Sequence, residues 1–320
     1  PREGLAVVNV DDPAHSRMIE KCAARIVRTS TIRNDVEAHA RLASVSALGT
    51  TAVYTGPWGT IEATSPFIGE HNVSNALQAM VCAHHLGLSH EQLVQELSRL
   101  TTPAGRLQRV SRREDGFLVL VDYAHSDDSL AHALASVRPI ADTTGGRVLV
   151  VFGCGGDRDR TKRPRMGRAA GEGADLVFIT SDNPRTEKPS AIIDEIRAGM
   201  SSEMLARCRV DADRRRAIFA AVSDARSGDV VVIAGKGHED YQILPAPDVP
   251  GGTVRIHFDD REVAREALEA RRQSIVESKP TRGGAGEGDN FWTLAGLVRA
   301  MHGELSSSGA HRPVSGVSTD

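Results

Sequence analysis

Four short apolar stretches constrain the fold of this chain more than any other feature. They are "FLVLV" (residues 117–121), "RVLVVFG" (147–153), "ADLVFIT" (174–180) and "DVVVIAG" (229–235). Their apolar residues are consecutive, not alternating, which marks strands covered on both faces. Each is followed by a polar loop and then by a helix with one apolar stripe, such as Ile192, Ile193, Ile196 and Met200. Strands joined through helices require right-handed crossovers, so the expectation is an α/β fold built on a parallel sheet.

The flanking segments follow a different grammar. Residues 4–12 ("GLAVVNVDD") read as a buried strand ending in acids, and residues 51–64 alternate like a β-hairpin turning near "GPWG". A helix is expected after each. In the second, Leu77, Met80, Val81 and His84 share a face, and Gly87 suits the position just past the C-cap. Ser89 and Gln92 make a capping-box pattern before Leu93, Val94, Leu97 and Leu100. "TTPAG" at 101–105 interrupts this pattern, which places one domain at 1–102 and the parallel-sheet domain at 103–272. Helical periodicity fades near Gln273, and the Gly-rich run at 279–289 makes 273–290 a flexible linker. A new element opens at Phe291, so 291–320 reads as the start of another unit. The chain begins at Pro1 in what reads as mid-domain, and a fragment is expected.

Composition narrows the partners. A net charge of -3 with 4% aromatic residues supplies neither a basic face nor a stacking platform, which argues against nucleic acid. No apolar run approaches about 18 residues and no signal peptide precedes the first strand, so neither a membrane nor an export route is expected. Cys22, Cys82, Cys154 and Cys208 lack metal or disulfide spacing, which suits a reducing cytoplasm.

Ligands of open parallel sheets bind beyond the carboxyl ends of the strands. Here those ends carry "DYAH" (122–125), "GCGGDRDRTKR" (153–163), "SDNPR" (181–185) and "GKGHED" (235–240). Taken alone, Asp-Asn-Pro-Arg is an ordinary turn. Placed beside three other polar loops, it contributes to a mixed-charge crevice. Arg158, Arg185 and Lys236 can bind carboxylates or phosphates, while Asp182 and Glu239 can accept from ammonium groups. Such a mixture fits a zwitterion with additional charged ends. The glycines permit backbone N–H groups to approach an anion, yet "GCGGDR" is neither a G-x-G-x-x-G fingerprint nor a Walker A loop.

Blander readings stand beside these. Most charges in residues 160–168 belong to a solvated helix start, with Arg158, and Lys162 or Arg163, as the functional exceptions. His84 and His85 read as structural or surface residues. His125 and His238 follow strand ends and are favoured as site residues, with loop stabilisation as the alternative. Cys154 has no paired base readable from sequence, which disfavours a nucleophilic role.

With these loops assembled, the sequence resembles the Mur ligases, ATP-dependent amide-forming enzymes of peptidoglycan precursor synthesis. The resemblance rests on "NVDD" (9–12), "GEHNVSNALQA" (69–79), "AGRLQRV" (104–110), "DYAHSDDSL" (122–130), "FGCGGDRDRTKRPRMG" (152–167), "SDNPRTEKP" (181–189) and "AGKGHEDYQ" (234–242), in that order. It implies a Rossmann-like C-terminal domain preceded by the C-terminal part of an ATP-binding central domain. It is strongest to members that join meso-diaminopimelate to UDP-N-acetylmuramoyl-L-alanyl-D-glutamate, in which Asp-Asn-Pro-Arg is associated with choosing diaminopimelate over L-lysine. The resemblance puts Arg158, Asp182, Asn183, Pro184, Arg185, Gly235 and Glu239 at the amino-acid site. It puts Asn72, Asn75, Asp122 and His125 near the nucleotide, with Arg106 nearest the transferred phosphate. ATP and Mg2+ are implied, with no metal ligand among these residues. The family's Walker A loop, magnesium ligands, carbamylated lysine and UDP-sugar domain precede the matching segment, so the chain alone is not expected to turn over. Asp127, Gln108 and His71 depart from the family's usual proline, acid and aromatic residue. The tail, "FWTLAGLVRAMHGEL" with "VSGVSTD", resembles the start of a second Mur ligase of the kind that adds D-alanyl-D-alanine, which implies a fusion.

Other readings remain open at this point. A Rossmann oxidoreductase shares the sheet but requires the missing fingerprint. A non-catalytic diaminopimelate-binding module explains the crevice without a P-loop. Folylpolyglutamate- or cyanophycin-type ligases share the implied fold.

Overall fold

The computed structural model describes residues 4–278, apart from 247 and 250. The expected tail unit at 291–320 and the Gly-rich run at 279–289 lie outside the described residues. The first region runs β1 (Leu5–Asn9), α1 (His15–Ile19), β2 (Arg25–Ser30), β3 (Ala38–Ser46), β4 (Gly49–Gly56), β5 (Gly59–Ser65), α2 (Glu70–His85) and α3 (His90–Arg99). Its strands form one sheet in chain order, parallel from β1 to β3 and antiparallel from β3 to β5. The hairpin is the expected one. Strand β1, however, is only partly buried, because it is an edge strand with a neighbour on one side alone. Helix α2 buries Leu77, Met80 and Val81, and Gly87 takes φ 100 just past the C-cap Leu86. The Ser89–Gln92 capping box is present at α3, which buries Leu93 and Leu97 but leaves Val94 and Leu100 exposed.

The second region contains β6 (Gln108–Arg109), β7 (Leu118–Asp122), α4 (Asp127–Thr144), β8 (Val148–Phe152), α5 (Lys162–Gly173), β9 (Leu176–Ile179), α6 (Pro189–Arg197), α7 (Ser202–Ala206), β10 (Cys208–Val210), α8 (Arg214–Asp224), β11 (Val230–Ala234), β12 (Tyr241–Pro245), β13 (Thr253–His257) and α9 (Asp260–Ser278). The sheet order is β10-β9-β8-β11-β7-β6. Every residue of β7, β8 and β11 is buried, as consecutive apolar residues require. The sheet is parallel except for the short edge strand β6, which pairs antiparallel with β7. Helices α4, α5 and α6 cover one face, and α8 and α9 cover the other. Helix α9 continues past Gln273 to Ser278, into the stretch read as linker.

The topology places the site. Strand β11 inserts between β7 and β8, and the loops after β7, β8, β9 and β11 all leave at the carboxyl end of the parallel sheet, where ligands of such sheets bind.

Candidate functional site

The loops after β8 and β9 approach each other closely enough to exclude a β-carbon. A Cβ at Gly153 would lie 2.3 Å from the Thr180 carbonyl oxygen, and one at Gly156 would lie 1.9 Å from that of Pro184. Glycine at these positions lets the Gly156 N–H donate to the Asn183 carbonyl at 2.9 Å. From the other side, the β12–β13 ribbon buckles onto the second loop. The Ile243 N–H donates to Asn183 Oδ1 (2.9 Å), the Arg185 N–H donates to the Ile243 carbonyl (3.1 Å), and Gln242 Nε2 donates to the Asp182 carbonyl (2.6 Å). This buckle holds Arg185 at φ 53, a backbone region that a non-glycine residue adopts only when its surroundings impose it.

The imposed turn aims Arg185 at the first loop. Its Nη1 donates to the Gly156 carbonyl at 2.7 Å and to that of Asn183 at 3.3 Å. A Cβ on Gly155 would meet Arg185 Nη1 at 3.0 Å and Arg158 Cγ at 3.8 Å, so the two arginines flank one glycine. Among the described residues, the guanidinium bonds of both go to backbone carbonyls, and neither is paired with a carboxylate.

Beneath them the charge has the opposite sign. Lys236 is fully buried, and its Nζ lies 3.2 Å from both Asn183 Oδ1 and Glu239 Oε2 and 3.6 Å from Asp182 Oδ1. Asn183 Nδ2 donates to Glu239 Oε2 at 3.0 Å. One ammonium thus serves two carboxylates, and Asp182 Oδ1 is buried without a hydrogen-bond partner among the described residues. Such an oxygen is costly to hold in that state, and a ligand ammonium would satisfy it. Gly235, at φ 116, borders the same group, with its would-be Cβ 3.7 Å from Asp182 Oδ2. Below lies the fully buried Arg214–Asp260 pair, whose Arg214 Nη2 also donates to the Ala234 carbonyl at the end of β11. These contacts correct the sequence reading of Lys236 as an anion binder; it is an internal counter-ion. Asn183 is bonded to Lys236, Glu239 and the Ile243 N–H, and the Pro184 carbonyl accepts from the Glu187 N–H.

A second part of the crevice opens toward the first region. A cleft of about 720 Å³ is lined by His71, Asn72, Asn75, Arg106, Asp122 and His132, among others. Asp122 is buried, and its carboxylate accepts from the Leu107 N–H (2.7 Å) and the Ala124 N–H (2.8 Å). Its part is therefore to hold the turn at Leu107, φ 42, that carries Arg106 into the cleft. The Arg106 guanidinium lies 5.3 Å from the Tyr123 ring centroid. The His125 and His238 rings pack on that same ring, at 4.7 and 5.1 Å. His125 does not line the cleft; it stands at the seam, where Lys162 Nζ donates to its carbonyl at 2.8 Å. Loss of solvent lowers the His71 pKa; His132 and Arg106 act in the same direction, and Asp122 opposes them. Asp127, one of the departures, sits in the first turn of α4, where a negative charge suits the helix dipole, and pairs with Arg165 at 3.5 Å.

Sequence reasoning missed Tyr123, His132, Arg214 and the whole β12–β13 ribbon. The reading of 160–168 as a largely solvated helix start matches the exposure of Arg160, Arg165 and Arg168, and Arg163, one of its named exceptions, is fully buried. A signal existed, since Arg163 shares a helical stripe with Met166 and Ala170. Burial raises the Cys154 thiol pKa to about 12, so no thiolate nucleophile stands there near neutral pH. Among the described residues, no group of three or more His, Cys, Asp or Glu side chains is placed to hold a metal ion. No described helix is long and apolar enough to cross a membrane.

Comparison with known proteins bears on this geometry. The Mur ligase middle domain matches residues 1–83, and the Mur ligase glutamate ligase domain matches residues 105–237. A UDP-N-acetylmuramoyl-L-alanyl-D-glutamate–2,6-diaminopimelate ligase from Gloeobacter violaceus is 46% identical over 271 residues, covering 85% of this chain and 53% of the relative. A solved structure of a ligase with that name superposes with a TM-score of 0.61 at 36% identity, over 84% of this chain and 53% of the other. Folylpolyglutamate synthase from Thermotoga maritima shares the fold alone, with a TM-score of 0.52 at 18% identity over 69% of this chain and 48% of the other. The chain spans about half the length of the curated relatives it matches. Two domain matches in order, with high identity across both sheets, establish that the chain belongs to the Mur ligase family.

Proposed function

We propose that this chain forms the amino-acid-binding part, and one wall of the nucleotide site, of an ATP-dependent ligase. The enzyme joins meso-diaminopimelate to UDP-N-acetylmuramoyl-L-alanyl-D-glutamate in peptidoglycan precursor synthesis. One observation carries the reading: two arginines without a carboxylate partner among the described residues flank Gly155, close to a buried group of two carboxylates that share one lysine. A diamino dicarboxylic acid presents the complementary charges. Lysine lacks the distal carboxylate and would leave the arginines unmatched, a loss that discriminates strongly. The names of the similar ligases support the same substrate pair.

In the proposed reaction, a D-glutamate carboxylate oxygen attacks the γ-phosphorus of ATP, and ADP leaves. The deprotonated amine of diaminopimelate attacks the acyl carbon, and the acyl C–O bond breaks with release of phosphate. Mg2+ would neutralise phosphate charge, and no step here is assigned to it. Within this chain, Arg106 faces the transferring phosphate, Asn72 and Asn75 line the nucleotide cleft, and Asp122 fixes the turn that aims Arg106. The loops after β8, β9 and β11 hold the attacking amino acid. A cleft of about 720 Å³ falls within the usual size range of small-molecule sites, roughly 300–1,000 Å³.

The test is Arg185→Ala in the full-length protein. Phosphate release dependent on meso-diaminopimelate is expected to fall at least about tenfold in kcat/KM, or ~1.4 kcal/mol. Unchanged kinetics would remove Arg185 from the site and the proposed specificity with it.

A further inference from the structure

Arg163 has no role in the reading above, yet its side chain is completely enclosed. It lies in the first turn of α5, where the helix dipole disfavours a cation, among the buried residues Met166, Ala169 and Ala170. An apolar side chain would fill such a place at less cost, so the guanidinium calls for a reason.

Its bonds supply one, because they reach both site loops. Arg163 Nη2 donates to the Gly155 carbonyl of the first loop at 3.2 Å. Nη1 and Nη2 make a two-pronged bond to Glu187 of the second loop, at 2.9 and 2.8 Å. Nη1 also donates to Glu195 of α6 at 2.8 Å. Glu187 Oε1 accepts from the Asp157 N–H (2.6 Å), immediately before Arg158. Asp157 returns the tie, its carboxylate accepting from Thr186 Oγ1 (2.7 Å) and the Thr186 N–H (3.2 Å), immediately after Arg185. The backbone beside each site arginine is thus fastened to the opposite loop, with Arg163 at the centre of the fastening.

The geometry points to Arg163, acting through Glu187, as a positioning residue that fixes the spacing of Arg158 and Arg185, and so the preference for a dicarboxylic over a monocarboxylic diamino acid. The inference rests on the amino-acid site proposed above. Two cations grip one carboxylate only if their separation is held. Slack in the fastening weakens the grip on the distal carboxylate. It leaves the Asp182–Glu239 group and the nucleotide cleft as they are.

The experiment uses the full-length protein with Arg163→Gln, Arg163→Lys and Glu187→Gln, each also combined with Arg185→Ala. Phosphate release is measured against meso-diaminopimelate, L-lysine and ATP, together with thermal unfolding. KM for meso-diaminopimelate is expected to rise about tenfold in Arg163→Gln and Glu187→Gln, with the preference over lysine falling about as much. Arg163→Lys, which keeps the charge but loses the two-pronged bond, should fall between parent and Gln variant. KM for ATP should stay within about twofold. In the Arg185→Ala background, Glu187→Gln should change KM no further, because both act on one contact. Folded variants with parental KM and selectivity would overturn the inference, as would an equal rise in the KM for ATP or full additivity with Arg185→Ala. If Arg163→Gln fails to fold, Glu187→Gln decides, since its side chain is 22% exposed and its loss leaves Arg163 bonded to Glu195. If Arg185→Ala alone leaves KM unchanged, the site reading itself fails; if only the Arg163 and Glu187 variants are silent, this inference fails alone.

Discussion

Lys236 and Arg106 stand in two parts of one crevice, and the protein handles their charges differently. Lys236 has no exposed surface and is held among Asp182, Asn183 and Glu239. Arg106 is exposed in a cleft of about 720 Å³, with its guanidinium 5.3 Å from the Tyr123 ring centroid. On the amino-acid side, cross-bonded loops, a two-stranded ribbon and buried ion pairs fix the geometry before any ligand arrives. On the nucleotide side the backbone is fixed, through Asp122 and Leu107, but the working side chain is left free. The difference teaches where each part is finished: one is rigid before any ligand arrives, as the proposed recognition of a small amino acid requires, and the other leaves its cation free, as the proposed binding of a highly charged nucleotide allows.

Removing a charge should therefore have opposite consequences in the two parts, and the largest effect is expected beneath the amino-acid site. Arg214→Met leaves Asp260 buried without its partner and frees the Ser181 and Ala234 carbonyls that Arg214 holds. Breaking such a pair from one side costs about 3–5 kcal/mol, which urea or guanidinium unfolding would register as a lower midpoint. A loss below about 1 kcal/mol would show that the enclosed charges are not what stiffens this side.

Arg106→Ala is the counterpart. Unfolding should be unchanged within about 0.5 kcal/mol, as for an exposed substitution. Phosphate release in the full-length protein should fall about 10²–10³-fold, the usual loss when one fixed stabiliser of developing charge is removed. A comparable loss of stability would erase the contrast drawn between the two parts.

The contrast also explains what could be seen in the sequence. Strands β7, β8, β9 and β11 were legible because burial on both faces forces consecutive aliphatic residues, and that pattern survives in one dimension. The β12–β13 ribbon was not, because β13 is exposed throughout and carries no burial pattern. Edge strands β6 and β10 span two and three residues, too short for a period to show. Within the site, Arg158, Arg185 and Asp182 were readable as charged residues at strand ends. The partners of Lys236 and Arg163 were not. Lys236 lies 53 residues from Asn183, and Arg163 lies 24 from Glu187, so only the fold brings them together.

Acid should separate well-held from poorly held charges, with a smaller effect than either substitution. Hydrogen bonds from Arg163 hold the Glu187 carboxyl at about 2, below its ordinary 4.5. The folded protein therefore binds fewer protons at this group than the unfolded chain. Its contribution to stability is complete above about 4.5 and is lost as the pH falls toward about 2. Glu37 is lowered to about 2 as well, through Arg28, but that pair is 46% and 41% exposed, against complete burial of Arg163. Solvent and salt weaken an exposed pair, so the same displacement should have less effect on stability there. Thermal unfolding of Glu187→Gln and Glu37→Gln, followed from pH 6 to pH 2 in 0.15 M salt, checks this. The difference in Tm between parent and Glu187→Gln should be largest at pH 6 and close below about 4.5, while that for Glu37→Gln should stay small throughout. Equal differences for the two variants would mean that burial of Arg163 adds nothing to its grip on Glu187.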